Sequence, residues 1–170
     1  MKLRICLIAL GTLGASNAMA NDQAQSKGFV DDSTLNVLLR NAYINRDYKN
    51  GNPDKSEWGQ AAIGTFTSGF TQGTIGVGVD AFGLYALNLE RNSKRSGAQG
   101  IDFFKRDSDQ NPADDLAKAG AAVKFRLSST TLTYGDQMPA LPVLNYDNSR
   151  LLPESYTGTL ITSKEIKGLE

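Results

Sequence analysis

The 170-residue sequence contains no histidine. That removes Ser-His-Asp hydrolysis, Cys-His nucleophiles and the usual histidine-bearing zinc sites in one step, because each needs an imidazole as base or ligand. Cysteine is nearly as scarce. Cys6 is the only one, and it falls in the N-terminal segment read below as a signal peptide, so the mature part has no disulfide to lean on. Charge of one sign is missing too: Lys and Arg total 18, and so do Asp and Glu. Such a balance argues against nucleic acid as a main partner. No apolar run approaches the roughly 20 residues of a membrane-spanning helix. The pair Asp114-Asp115 lies in a polar stretch, Glu90 to Lys118, without EF-hand spacing, so a solvated loop is expected there rather than a calcium site. Catalysis by carboxylates alone is left open but unsupported, so no enzyme activity and no metal ion are expected.

What is present begins with an export signal. Lys2 and Arg4 form a basic start, Ile5 to Leu13 is a short apolar run, and Ala18-Met19-Ala20 has the small-x-small form of a cleavage site. Residues 1–20 are therefore expected to be removed before Asn21, leaving 21–170 as the mature part.

The strongest pattern is Ala119 to Ser128. Ala119, Ala121, Val123, Phe125 and Leu127 are apolar, whereas Gly120, Ala122, Lys124, Arg126 and Ser128 are small or polar. A strand sends alternate side chains to opposite faces, so this segment has one apolar wall and one cationic wall. A soluble sheet with one face on a core shows the same pattern. Alternation of the same kind, less perfect, runs over Thr34 to Arg46, Glu57 to Gly69, Gly73 to Leu89, Thr131 to Gln137 and Thr157 to Ser163. In Gly73 to Leu89, Gly76 and Gly78 sit where glycine normally weakens pairing, which fits a curved wall with crowded inward positions. Tyr43, Trp58 and Tyr85 are expected to form an aromatic belt at a membrane interface, with a core anchor as the rival reading of Trp58.

Connections sort by length. Asp47 to Ser56, Glu90 to Lys118 and Met138 to Tyr156 are long; Ser68 to Thr71 and Ser129-Thr130 are short. Long loops at one end and short turns at the other are the signature of outer-membrane barrels. The fold class is therefore expected to be all-β, an antiparallel transmembrane β-barrel, with a soluble ligand-binding sandwich as the rival.

Five ordered blocks carry a resemblance to a known family: GFVDDSTLNVLLRNAYINRDY at Gly28 to Tyr48, EWGQ at Glu57 to Gln60, SGFTQGTIGVGVDAFG at Ser68 to Gly83, KAGAAVKFRLSSTTLTYGDQMPALPV at Lys118 to Val143, and NSRLLPESYTG at Asn148 to Gly158. Together they resemble the OprD-type family of outer-membrane porins. The resemblance implies a channel of about eighteen strands without a cofactor, passing small carboxylate-bearing solutes such as amino acids, small peptides and organic acids. It also implies outer-membrane lipid and the outer-membrane assembly machinery as partners. The third long loop, Met138 to Tyr156, would fold into the lumen as a constriction presenting Tyr146, Asp147, Ser149 and Arg150. A basic substrate path would begin with Arg40, Lys124 and Arg126. About six strands are expected here, so the chain reads as the N-terminal part of a longer porin or as a truncated product. An adhesive or structural barrel acting through its loops is the alternative function.

Overall fold

Side chains that alternate between apolar and polar favour extended backbone, because only a strand gives each kind its own face. The computed structural model describes residues 22–49, 51, 54–90, 103–105, 112–166 and 168–169. The expected signal peptide and the greater part of the stretch after Glu90 lie outside them. Six strands form: β1 (Thr34–Arg46), β2 (Lys55–Thr67), β3 (Ile75–Asn88), β4 (Asp115–Leu127), β5 (Thr130–Gln137) and β6 (Tyr156–Ser163). They pair antiparallel with their chain neighbours in one sheet of order β1-β2-β3-β4-β5-β6. No helix occurs among the described residues.

Strand length fits a bilayer. Thirteen residues, as in β1, extend about 44 Å at about 3.4 Å each, or about 31 Å along the normal at a tilt of about 45°. The hydrocarbon core is about 30 Å thick.

Several strand boundaries differ from the expectation. β4 starts at Asp115, so Lys118 is a strand residue rather than part of the loop. The cause is β3, whose C-terminal half needs a partner: Leu87 pairs with Asp115, Ala86 with Leu116 and Leu84 with Lys118. Likewise β2 starts at Lys55, because Arg46 and Asn45 pair with Lys55 and Ser56. The hairpin between β4 and β5 turns at Ser128-Ser129, one residue early, since Leu127 pairs with Thr130. Ser128 takes a φ of 53°, the sign that a type II′ turn requires at its first central residue.

Register sorts the side chains into two faces. One carries Leu35, Val37, Leu39, Tyr43, Trp58, Ile75, Val77, Tyr85, Leu87, Val123, Phe125, Leu127, Tyr134 and Ile161. All of these are exposed, Val37 at 65 % and Ile161 at 63 %. This is the outer face. Asn41 interrupts it, and its amide is partly satisfied on the face itself: its ladder partner is Gln60, to whose Oε1 its Nδ2 donates at 2.9 Å, while Trp58 Nε1 donates to Asn41 Oδ1 at 3.1 Å.

The other face is covered by the chain itself. Phe103, Phe104 and Leu151 bury against Ala61 and Ala86. Met138 and Leu152 pack on Ile63, Phe82 and Leu84. Small residues on the wall make room: a Cβ on Gly59 would collide with the Leu151 side chain. Each such apolar side chain taken from water favours the inward fold by about 1.5–3 kcal/mol. The described residues 103–104 and the connection 138–155 thus fold in at one end of the strands. At the short-turn end the N-terminal segment does the same, with Gln23 buried at 3 % exposure and its backbone N–H on Ser128 O at 3.1 Å.

Candidate functional site

The inner wall is where charge and loops meet. Arg40 and Arg46 stand on the inner parity of β1, and Lys118, Lys124 and Arg126 on that of β4. Facing them on the same side are Asp80 of β3 and Glu57 of β2. Glu57 is buried and accepts the backbone N–H of Phe103 at 2.6 Å. The parity read from Ala119 to Ser128 therefore places Lys124 and Arg126 inside, opposite Val123, Phe125 and Leu127.

Those two cations are held rather than free. Lys124 Nζ lies 2.6 Å from Asp80 Oδ1 and its side chain is buried. Its stem lies over Gly78, where a Cβ would stand 2.6 Å from Lys124 Cε. The Phe70 ring, from the β2–β3 turn, covers both: its centroid is 4.9 Å from Lys124 Nζ and 4.0 Å from the Arg126 guanidinium carbon. The negative face of the ring attracts each cation. Arg126 Nε donates to Gln23 Oε1 at 3.0 Å. The Gln23 amide nitrogen in turn donates to the carbonyls of Thr71 and Gly73, and the amide fills the space above Gly76 that any side chain would block. Gly76 and Gly78 are thus the crowded inward positions that the sequence indicated.

Arg40 does something different. Its guanidinium reaches the long connection 138–155: Nη1 donates to Arg150 O at 2.6 Å, and lies 3.3 Å from Leu151 O and 3.4 Å from Asn148 O, while Nη2 donates to Asn148 Oδ1 at 2.7 Å. That connection is an ordered unit. Leu141 and Leu144 exchange backbone hydrogen bonds, Tyr146 N–H donates to Pro139 O, and Glu154 N–H donates to Asp147 O. Asp147 Oδ1 accepts the Ser149 N–H at 2.7 Å. Bonds from Ser149 hold the Asp147 carboxyl below its usual range, with a smaller contribution from the charge of Arg150. Tyr146 and Asp147 are half-buried, whereas Ser149 and Arg150 are exposed.

Of the residues singled out in the sequence, Lys124 and Arg126 come together. Arg40 lies instead with Arg150 and the backbone of 148–151. Tyr43 and Trp58 are direct partners on the outer face, and Tyr85 is aligned with Ala62 on that face. Phe70, Lys118 and Gln23 escape the sequence reading, as does the role of Asp80 as the partner of Lys124. Asp80 and Lys118 are legible from parity once the strand ends are known; Phe70 and Gln23 act through turns that no local pattern announces. Among the described residues no cluster of three metal-ligating side chains forms.

Comparison with known proteins places this wall. Residues 27–170 match the model of the family described as outer membrane porin, OprD family. Porin D of Pseudomonas aeruginosa is 44% identical over 155 residues, which cover 91% of this chain and 34% of that protein. Among solved structures, OccAB1 of Acinetobacter baumannii superposes with a TM-score of 0.78 at 41% identity, over 86% of this chain and 34% of its own. Pseudomonas aeruginosa OpdK, determined with vanillate, superposes at 0.74 with 37% identity, over 83% of this chain and 35% of its own. The chain thus spans about a third of the length of these relatives. With an apolar outer face, loops folded inward and a match over nearly all of its described strands, it belongs to the OprD family of outer-membrane porins.

Proposed function

We propose that these six strands form part of a channel that lets small carboxylate-bearing solutes diffuse across the bacterial outer membrane. The observation that carries the reading is the inward set Arg40, Arg46, Lys118, Lys124 and Arg126 against Asp80 and Glu57, behind an outer face of exposed apolar side chains. In a narrow lumen with low-dielectric walls, an excess of positive charge concentrates anions and repels cations. Lys124 is matched by Asp80, so the surplus bearing on the solute falls to Arg46, Lys118 and Arg126. The loop 138–155, with Tyr146, Asp147, Ser149 and Arg150, narrows the path and sets solute size. OpdK was determined with vanillate, itself an aromatic carboxylate, which supports the class without naming the solute here. Residues 1–20 act as the export signal, and outer-membrane lipid and the barrel-assembly machinery are the partners of the whole protein. Tyr43, Trp58 and Tyr85 anchor the wall at the lipid interface.

The test is solute flux. Liposomes carrying the complete barrel that contains this segment should swell faster in potassium benzoate or an acidic amino acid than in a neutral sugar of similar size. Equal rates would contradict the reading.

A further inference from the structure

We propose that Arg40 is a positioning residue for the loop 138–155, acting through the geometry of its guanidinium rather than through its charge on the passing solute. The proposal rests on the channel reading above, in which that loop narrows the lumen.

Four acceptors converge on one side chain. The carbonyls of Asn148, Arg150 and Leu151 and the Asn148 side-chain oxygen all lie within 3.4 Å of the two Arg40 terminal nitrogens. A rigid planar fork reaches acceptors in two directions at once, which a single ammonium on a flexible stem does not. The polar clamp also sits beside an apolar one. Arg40 is the ladder partner of Ala61, and Ala61 belongs to the cluster into which Leu151 buries at 1 % exposure. Leu151 therefore plugs the wall while Arg40 ties the backbone on either side of it, and neither fastening uses a carboxylate. The other inward arginine on this wall with described contacts, Arg126, bonds the N-terminal segment and Phe70 instead. Arg40 alone among the described inward cations bonds the constriction.

Single-channel recording of the complete barrel separates the two roles. Arg40→Lys keeps the charge and loses the fork; Arg40→Gln loses both. If Arg40 positions the loop, both variants show the same several-fold rise in open-channel current noise and a raised conductance, and Arg40→Lys leaves the reversal potential in a salt gradient at the parent value. A lysine variant with the parent's conductance and noise would overturn the proposal, as would a glutamine variant that shifts only the reversal potential. Asn148→Ala, which leaves every lumenal charge in place, covers the case in which neither Arg40 variant assembles: noise raised in the same direction supports the clamp, and a parent-like trace sinks it. These readouts are independent of solute preference, so a parent that swells liposomes equally in charged and neutral solutes would remove the selectivity for carboxylates while leaving the clamp to be judged on its own traces.

Discussion

Lys124 and Arg126 stand two residues apart on one wall, yet they hold their charges differently. Lys124 is buried against Asp80 at 2.6 Å, so Asp80→Asn leaves an ammonium with weakened compensation. A hydrogen bond to a charged group contributes about 1.5–3 kcal/mol, and we expect a loss of that size in urea unfolding of the complete barrel; an unchanged midpoint would show the pair to be incidental. The faces can be tested in the same way. Arg at Val123, on the outer face, should cost about 2–4 kcal/mol near the bilayer midplane, whereas Arg at Leu38, inward and 51 % exposed, should cost far less. Ala122 makes a poor inward control although its parity is right, because it is only 2 % exposed and added bulk there would test packing. Equal losses at Val123 and Leu38 would refute the facing. Asp147 carries a pH prediction. Its carboxyl is held low by Ser149, so the turn it braces is fully supported above the ordinary carboxylate range and is lost as pH falls through the lowered value. A carboxyl-carbon NMR titration should place the midpoint below the ordinary 3.8; a midpoint at or above it would contradict the bracing. Parity alone showed that Lys124 and Arg126 point inward. It could not show their partners, because Phe70 lies 54 residues from Lys124 in the chain and Gln23 lies 103 residues from Arg126.

At the scale of elements, the alternation of long and short connections survives into the structure with a physical cause. The connections after β3 and β5 carry apolar residues that the wall buries, Phe104 and Leu151 among them, and there the chain lies against the inner face. Short ones carry turn geometry, such as Ser128 with its positive φ. Glu165, just beyond β6, braces that turn by accepting from Ser129 N–H at 2.7 Å and from the hydroxyls of Ser128 and Thr130, and these bonds lower its carboxyl pKa. The wall and the loop must fit each other. Gly59→Val should displace Leu151, cost about 1–3 kcal/mol of stability through overpacking, and raise channel noise as loss of the Arg40 clamp does. A variant as stable and as quiet as the parent would show that Leu151 packs elsewhere. The sequence made β1 legible to the residue, because Thr34 to Arg46 is bounded by Ser33 and the turn-forming run after it. It missed the start of β4, because Asp114-Asp115 reads as loop and only pairing with Leu87 draws Asp115 into the ladder.

As a molecule, the six strands make a wall with β1 and β6 at its edges. Unpaired backbone groups in hydrocarbon cost several kcal/mol each. The 170-residue chain expressed by itself should therefore fail to give a heat-resistant, channel-forming monomer, and recovery of one would overturn the view that these strands need further partners. The apolar outer face and the cationic inner one were legible from strand alternation, and the family from five ordered blocks. Which cations bear on a solute was not, since that depends on contacts such as Asp80 on Lys124 and the loop backbone on Arg40. We propose that the surplus of inward positive charge selects the solute. Its most direct test is the reversal potential of the complete barrel across a planar bilayer under a potassium chloride gradient, comparing the parent with Lys118→Glu/Arg126→Glu. The double variant should shift towards cation selectivity with the barrel still assembled; an unchanged reversal potential would show that these inward charges do not select the solute.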